Sequence, residues 1–368
     1  MRGRLPIDRT FLILLGILVA FGLLMLLSAS GPLGFQKFGD SAYYLKNQLV
    51  RGVFPGMVAF FVLSFLDYRA FRPLAVGALV ASVVLLLLVY VPGLGLAFGG
   101  SGRWVSLGPI AFQPSEFVKV TFLIYVAAWL ANRQEQRAKS VSEGLVPFLL
   151  ALGVVMLLLI KQPNTGSMSV LAGSALLTYF IAGAPVSWFL GLGAGMTGLI
   201  WLLVRTSEYR AARFMTFLHP ELDPMGKGYQ INQALLAVGS GGPFGLGYGH
   251  SRQKYLYLPE VAGDSIFAVM AEEMGFFLTA GFLAMFAAFV WRCLAIARAA
   301  PDAFGKFLVT GFACWFAIQA VFNVFSMLGL MPITGVTLPF VSHGSSAFVA
   351  LAIACGMIAS VSRQARLA

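Results

Sequence analysis

The chain has 368 residues, 59% of them hydrophobic and only 11% charged, with a mean hydropathy of +0.86. A soluble domain carries about 25% charged residues, so this composition excludes one and predicts a polytopic membrane protein. The net charge of +11 comes from cations scattered between apolar runs, with no basic block interleaved with aromatics. That excludes nucleic acid as a partner and assigns the excess to membrane topology and anionic lipid headgroups.

Arg2, Arg4 and Arg9 precede a first apolar run, Phe11 to Ala29. The run is long for a signal-peptide core, and Ser28-Ala29-Ser30 only faintly resembles a cleavage site, so it reads as an uncleaved span. Further runs cover Val53 to Leu66, Leu74 to Val91, Pro114 to Leu130, Leu145 to Ile160, Met168 to Ile181 and Trp188 to Val204. After a long polar stretch come Ser265 to Val290, Phe307 to Leu330 and Val341 to Val361. The expectation is one all-α membrane domain over 1–368. It has about ten transmembrane helices and a large extracytoplasmic loop, about 205–263, between helices seven and eight.

Ten spans put both termini on one side. With the N-terminus in the cytoplasm, thirteen Lys and Arg lie inside and twelve elsewhere, six of these in the long loop. The positive-inside bias is read from short loops, so setting the long one aside leaves thirteen against six. Both termini are then cytoplasmic.

The cations of the long loop need another cause. Arg205, Arg210, Arg213, Lys227, Arg252 and Lys254 sit among glycines and small polar residues. Such a cluster suits phosphate or pyrophosphate oxygens, and anchoring to lipid headgroups is the other reading. The glycine-rich GSGGPFGLGYG lacks the strand–turn–helix setting of a nucleotide loop.

Asp264 opens the helix that follows, either as its N-terminal cap or as a reacting carboxylate. Glu272 and Glu273 lie about two turns deeper in the apolar run, where carboxylates are expensive and need partners. Glu116 and Lys119, three apart on one helix face, pair with each other or with Arg103 or Asp264. Gln319 and Asn323 share a face at i, i+4, a spacing suited to hydrogen bonds between helices. His219, His250 and His343 show no metal-ligand pattern, and Cys293, Cys314 and Cys355 read as buried thiols.

A series of motifs runs in order over essentially the whole chain: Arg103-Trp104 with FQPSEFVK (Phe112 to Lys119), Gln162-Pro163, and YRAAR through GKGYQINQ. They continue with AVGSGGPFGLGYGHSRQK, YLPE, DSIFAVMAEEMGF and PITGVTLPFVSHGSS. On these motifs the chain resembles the SEDS family, the FtsW/RodA/SpoVE proteins of bacterial cell-wall synthesis, and SRQK before YLPE is closer to the FtsW and SpoVE branch.

The resemblance implies a peptidoglycan glycosyltransferase that polymerises lipid II at the outer face of the cytoplasmic membrane, in division or cell-shape maintenance. Asp264 aligns with the family's essential acidic residue. Binding of substrate and pyrophosphate then falls to Arg103, Lys119, Arg210, Arg213, Lys227, Arg252 and Lys254. Glu116, Gln162, Gln230, Glu260, Glu272, Ser342 and Ser346 support the site. A divalent cation such as Mg or Mn is an alternative source of positive charge, with no cofactor or metal fixed by the sequence. The implied partner is a class B penicillin-binding transpeptidase. The other readings are a lipid II flippase, which needs a polar path to the cytoplasmic side, and a non-catalytic scaffold.

Three positions depart from the family's pattern. Asn164 stands where Gln-Pro-Asp is usual, Gly263 precedes Asp264 in place of Thr, and His343 replaces the Tyr of Ser-Tyr-Gly. Asn164 puts any role carried over from the acidic residue in doubt.

Overall fold

A computed structural model describes residues 6–98, 101–108, 110–132, 138–206, 211, 215, 217–219 and 228–365. All ten apolar runs form helices: α1 (Arg9–Phe38), α2 (Tyr43–Phe65), α3 (Ala75–Tyr90), α4 (Pro114–Ala131), α5 (Val141–Lys161) and α6 (Thr165–Ile181) come first. Then follow α7 (Val186–Arg205), the shorter loop helix α8 (Tyr229–Ser240), α9 (Ile266–Ala299), α10 (Ala303–Met327) and α11 (Ser345–Ser362). Among the described residues, α1, α2, α4, α5, α9, α10 and α11 are each long and apolar enough to cross a membrane. The chain is thus an all-helical integral membrane protein, apart from one small sheet between α3 and α4.

That sheet precedes α4. Strands β1 (Gly95–Phe98), β2 (Ser101–Leu107) and β3 (Ile110–Phe112) form an antiparallel meander in the order β1-β2-β3. Pro114 then starts α4 at a position where its missing N–H costs nothing.

Burial separates an inner from an outer ring. The most apolar windows of α4, α10 and α11 are 72%, 78% and 83% buried, against 28% for those of α1, α2, α5 and α9. The centre is packed with Phe122, Leu123 and Val126 of α4, Phe312, Trp315 and Phe316 of α10, and Leu351 and Ile358 of α11. Outer helices turn side chains such as Phe54, Phe61 and Leu150 outward, as a helix facing lipid does.

The first and last described segments meet at one face. The backbone N–H of Asp8 donates to Ser362 Oγ at 3.3 Å. Asp8 caps α1 by accepting from Phe11 N and binds Arg292 of α9 through both carboxylate oxygens, at 2.9 and 2.6 Å. Nearby, Asp302 caps α10 and accepts from Tyr68 OH at 2.6 Å and Arg69 Nε at 2.7 Å. The Arg292 guanidinium holds the Asp8 carboxyl below the usual carboxylate range, against the opposing effect of burial. For Asp302, burial pushes upward, but the Gly305 N–H, Tyr68 and Arg69 outweigh it and the pKa is lowered.

At the opposite face α9 is broken. Thirty-four residues at 1.5 Å each make about 51 Å, well beyond a hydrocarbon core of about 30 Å. The break falls at Gly275, with φ 69° and ψ −175°. Residues 242–247 fill the gap: Leu246 N and Gly247 N donate to the carbonyls of Glu272 and Glu273, and Phe276 N and Phe277 N donate to those of Gly242 and Pro243. A Cβ on Gly275 would lie 2.1 Å from Gly245 N, so only glycine admits this crossing.

Candidate functional site

The site lies at this second face, where the long loop returns to the bundle. Glu260 takes a left-handed φ of 52°, and its carbonyl accepts from Gly263 N at 2.9 Å and Ser265 N at 3.2 Å. That turn sets Asp264 one residue before the N-cap of α9, which is Ser265. Asp264 is half-buried. Its carbonyl accepts from Asn323 Nδ2 at 2.7 Å, and Gln230 Nε2 of α8 lies 3.4 Å from Asp264 Oδ1 and 3.0 Å from Ser265 Oγ. Against the carboxylate runs the strap between α10 and α11: a Cβ on Gly335 (φ 70°) would lie 3.9 Å from Asp264 Oδ2.

Below the strap lies a polar ladder. Lys119 Nζ is 2.8 Å from Glu116 Oε2 and 2.9 Å from Gln319 Oε1, and it stands 4.8 Å from the centre of the Trp315 ring. Of the pairings open to Glu116 and Lys119, the structure shows the one within the helix face. Gln319 Nε2 in turn donates to the Thr337 carbonyl at 3.0 Å, so the ladder ends in the strap that flanks Asp264. Both charges are buried, which is tolerable because each is paired. Lys119 was expected to face an anion; instead it is enclosed, and it meets the site through Gln319.

A second correction concerns Lys254. It is buried, with its ammonium 2.8 Å from Glu273 Oε1 and 3.0 Å from Ser28 Oγ of α1. It anchors the loop and does not display charge. Glu272 completes the anchor by accepting from Ser251 Oγ in a very close contact, from Arg252 N at 3.0 Å and from Gln253 N at 3.3 Å. Glu273 was left out of the expected site. The signal for it was present, since two adjacent carboxylates in an apolar run require donors, and the loop carries them.

The remaining expected residues divide by position. Arg252 is exposed at the loop surface. Arg103 on β2 donates from Nε to the Gln162 carbonyl at 3.3 Å and from Nη2 to the Pro163 carbonyl, where a cation suits the C-terminal end of α5. Gln162 Nε2 donates to the Leu86 carbonyl at 2.8 Å. Ser342 Oγ accepts from Leu338 N, and Ser346 Oγ accepts from Gln113 N, so both serines fix backbone. Arg210, Arg213 and Lys227 lie outside the described residues.

The departures from the family pattern have local explanations. Asn164 caps α6 by accepting from Ser167 N at 3.2 Å and donates to Ser115 Oγ at 3.0 Å. An Asp would cap equally well, but here, 3% exposed, it would bury a charge. His343 donates its backbone N–H to the Ala262 carbonyl at 2.7 Å and packs its ring edge-on to Tyr44 at 5.2 Å. It thereby helps hold the turn that carries Asp264. At Gly263 a Cβ would meet Glu260 Oε2 at 3.4 Å, ordinary contact.

Among the described residues no three His, Cys, Asp or Glu side chains converge on a point.

Comparison with known proteins agrees with this architecture. The FtsW/RodA/SpoVE family, described as cell cycle proteins, matches residues 8–367. Stage V sporulation protein E of Bacillus subtilis is 38% identical over 364 residues, covering 98% of each chain. A protein of Trichlorobacter lovleyi named "Probable peptidoglycan glycosyltransferase FtsW" is also 38% identical, over 98% of this chain and 94% of that one. Among solved structures, a chain of a peptidoglycan synthase complex that coordinates polymerization and crosslinking superposes with a TM-score of 0.79. It is 28% identical over 97% of this chain and 98% of that one. The rod shape determining protein RodA of Thermus thermophilus gives a TM-score of 0.71 at 28% identity, over 97% of each. With a match this long, in this order, the chain belongs to the FtsW/RodA/SpoVE family.

Proposed function

We propose that this protein is a peptidoglycan glycosyltransferase that joins lipid II units into glycan strands at the outer face of the bacterial cytoplasmic membrane. The observation that carries the reading is the half-buried Asp264 carboxylate, fixed at the loop face by Gln230, Asn323 and the turn at Glu260. In this scheme a sugar hydroxyl of one lipid-linked disaccharide attacks the anomeric carbon of another. The bond to undecaprenyl pyrophosphate breaks, and its electron pair leaves with the pyrophosphate. Asp264 accepts the hydroxyl proton. A single displacement of this kind inverts the anomeric centre, by analogy with inverting glycosidases. Exposed Arg252 is one described loop cation assigned to the leaving group's charge; Arg210, Arg213 and Lys227 are further candidates. Both termini, which meet at Asp8 and Ser362, are then cytoplasmic. The partner is a class B penicillin-binding transpeptidase, a reading supported by the likeness to a synthase complex that couples polymerization with crosslinking.

A flippase requires a polar path to the other face. Below Lys119 the described core is apolar, with Phe122, Leu123, Phe312 and Leu351 buried. The hydroxyls of Ser174 and Thr178 there bond to carbonyls of their own helix. This favours chemistry at one face over transport.

Polymerisation of lipid II by the full chain with its transpeptidase partner, free of other glycosyltransferases, tests the reading. Wild type is expected to make polymer and Asp264→Ala about 10³-fold less at equal folded concentration. Equal polymer from both would remove Asp264 as the base, and none from either would return the flippase and scaffold readings.

A further inference from the structure

We propose that Asn323 is a positioning residue for the reaction at Asp264, clamping the carboxylate's own backbone to the strap that faces it. The inference rests on the glycosyltransferase reading. Asn323 sits in the last turns of α10 and is 1% exposed. Its Nδ2 donates at once to the Asp264 carbonyl, at 2.7 Å, and to the Val336 carbonyl, at 2.8 Å. A primary amide nitrogen carries two hydrogens in one plane, so it can bridge two carbonyls of separate segments. A hydroxyl supplies one hydrogen and a carboxylate none.

One turn away Gln319 repeats the device on the next strap residue, donating to the Thr337 carbonyl. The strap is thus held at two successive carbonyls. Between them and the carboxylate stands Gly335, in the left-handed region at φ 70°, where a Cβ would lie 3.9 Å from Asp264 Oδ2. The Asn323 amide thus joins the backbone that carries the carboxylate directly to the strap that faces it.

Packing alone does not account for this residue. Asn323 Oδ1 is buried with no hydrogen-bond partner among the described residues. Leucine, of similar size, would remove that unsatisfied acceptor, which is costly in a buried setting. What leucine cannot supply is the pair of hydrogens. The turn holding Asp264 also has other ties, at Glu260 and His343, so loss of the clamp leaves the fold and loosens the carboxylate.

The test compares wild type with Asn323→Leu and Asn323→Ser in lipid II polymerisation by the full chain with its transpeptidase partner. Thermal unfolding supplies the folded fraction. Misplacing a reacting group by about 1 Å costs about 100-fold. Per folded molecule, kcat is expected to fall about 100-fold for Leu and at least about 10-fold for Ser, whose hydroxyl has one hydrogen and stands one bond short of the amide nitrogen. KM should stay within about threefold, and the acid limb of the kcat/KM profile should shift as the carboxylate's surroundings change. If Leu does not fold, the graded loss and shifted limb in Ser carry the result. Unchanged kcat and acid limb in either folded variant would overturn the proposal. An inactive wild type would overturn the glycosyltransferase reading instead, and with it this proposal.

Discussion

The two faces of this bundle use polar residues in opposite ways. At the terminal face, Asp8 with Arg292, and Asp302 with Tyr68 and Arg69, join the ends of helices, and every named group is consumed by its neighbour. At the loop face, buried pairs of the same chemistry anchor the loop (Lys254 with Glu273) and, through Gln319, the strap (Lys119 with Glu116), while the Asp264 carboxylate stays half-buried. Sealing on one side and anchoring around a group on the other is what a one-sided enzyme requires. Substitutions at the two faces should therefore separate stability from activity.

The largest effect is expected at Asp264. Replacement by Ala should lower polymerisation by about 10³-fold, within the range for loss of a general base, while the unfolding temperature stays within a degree or two of wild type. Next comes Glu273→Gln, which leaves Lys254 as a buried charge without its counter-ion. A loss of about 3–5 kcal/mol is expected, read by thermal unfolding in detergent. The double variant Lys254→Met with Glu273→Leu should recover most of it, as apolar replacement of a buried pair often does.

At the terminal face, Asp302→Asn should cost about 1 kcal/mol of stability through weakened hydrogen bonds and leave the polymerisation rate unchanged. Its pH dependence has a definite sign. Because the folded pKa of Asp302 is depressed, its contribution is complete above the unfolded carboxyl value of about 3.9. It is lost as pH falls from there through the folded value. Wild type should lose stability on acidification below about pH 4, and Asp302→Asn should lose less. Asn164→Asp comes last for activity: the cap on α6 survives and polymerisation per folded molecule should remain within about threefold of wild type. Thermal unfolding should show a loss of about 1–3 kcal/mol, because the carboxylate buries a charge and cannot donate to Ser115 Oγ.

Much of this contrast was legible in the sequence. The ten runs became helices because uninterrupted apolar stretches leave the backbone no other partner. Glu116 and Lys119 were readable as a pair because i, i+3 spacing fixes their separation. Asp264 was legible because a charge stood at the edge of an apolar run. What could not be read was set by distant contacts. Lys254 looked like a displayed cation because its partner Ser28 is 226 residues away. The break at Gly275 was hidden because AEEMGFF continues the apolar run, and only the crossing of residues 242–247 shows why glycine stands there. Arg103 reads in sequence as an anion ligand, and the structure shows it donating to the Gln162 and Pro163 carbonyls at the end of α5, contacts that no local pattern announces. The sheet over 95–112 was missed because strands of four, seven and three residues carry too little periodicity.

The measurement closest to the central claim uses sealed vesicles with the protein in one orientation and labelled lipid II supplied to a single leaflet. Polymer should form only from the leaflet on the Asp264 side, with no transfer of label between leaflets above protein-free vesicles. Protein-dependent transfer of label, or polymer from the leaflet at the terminal face, would contradict a one-sided enzyme.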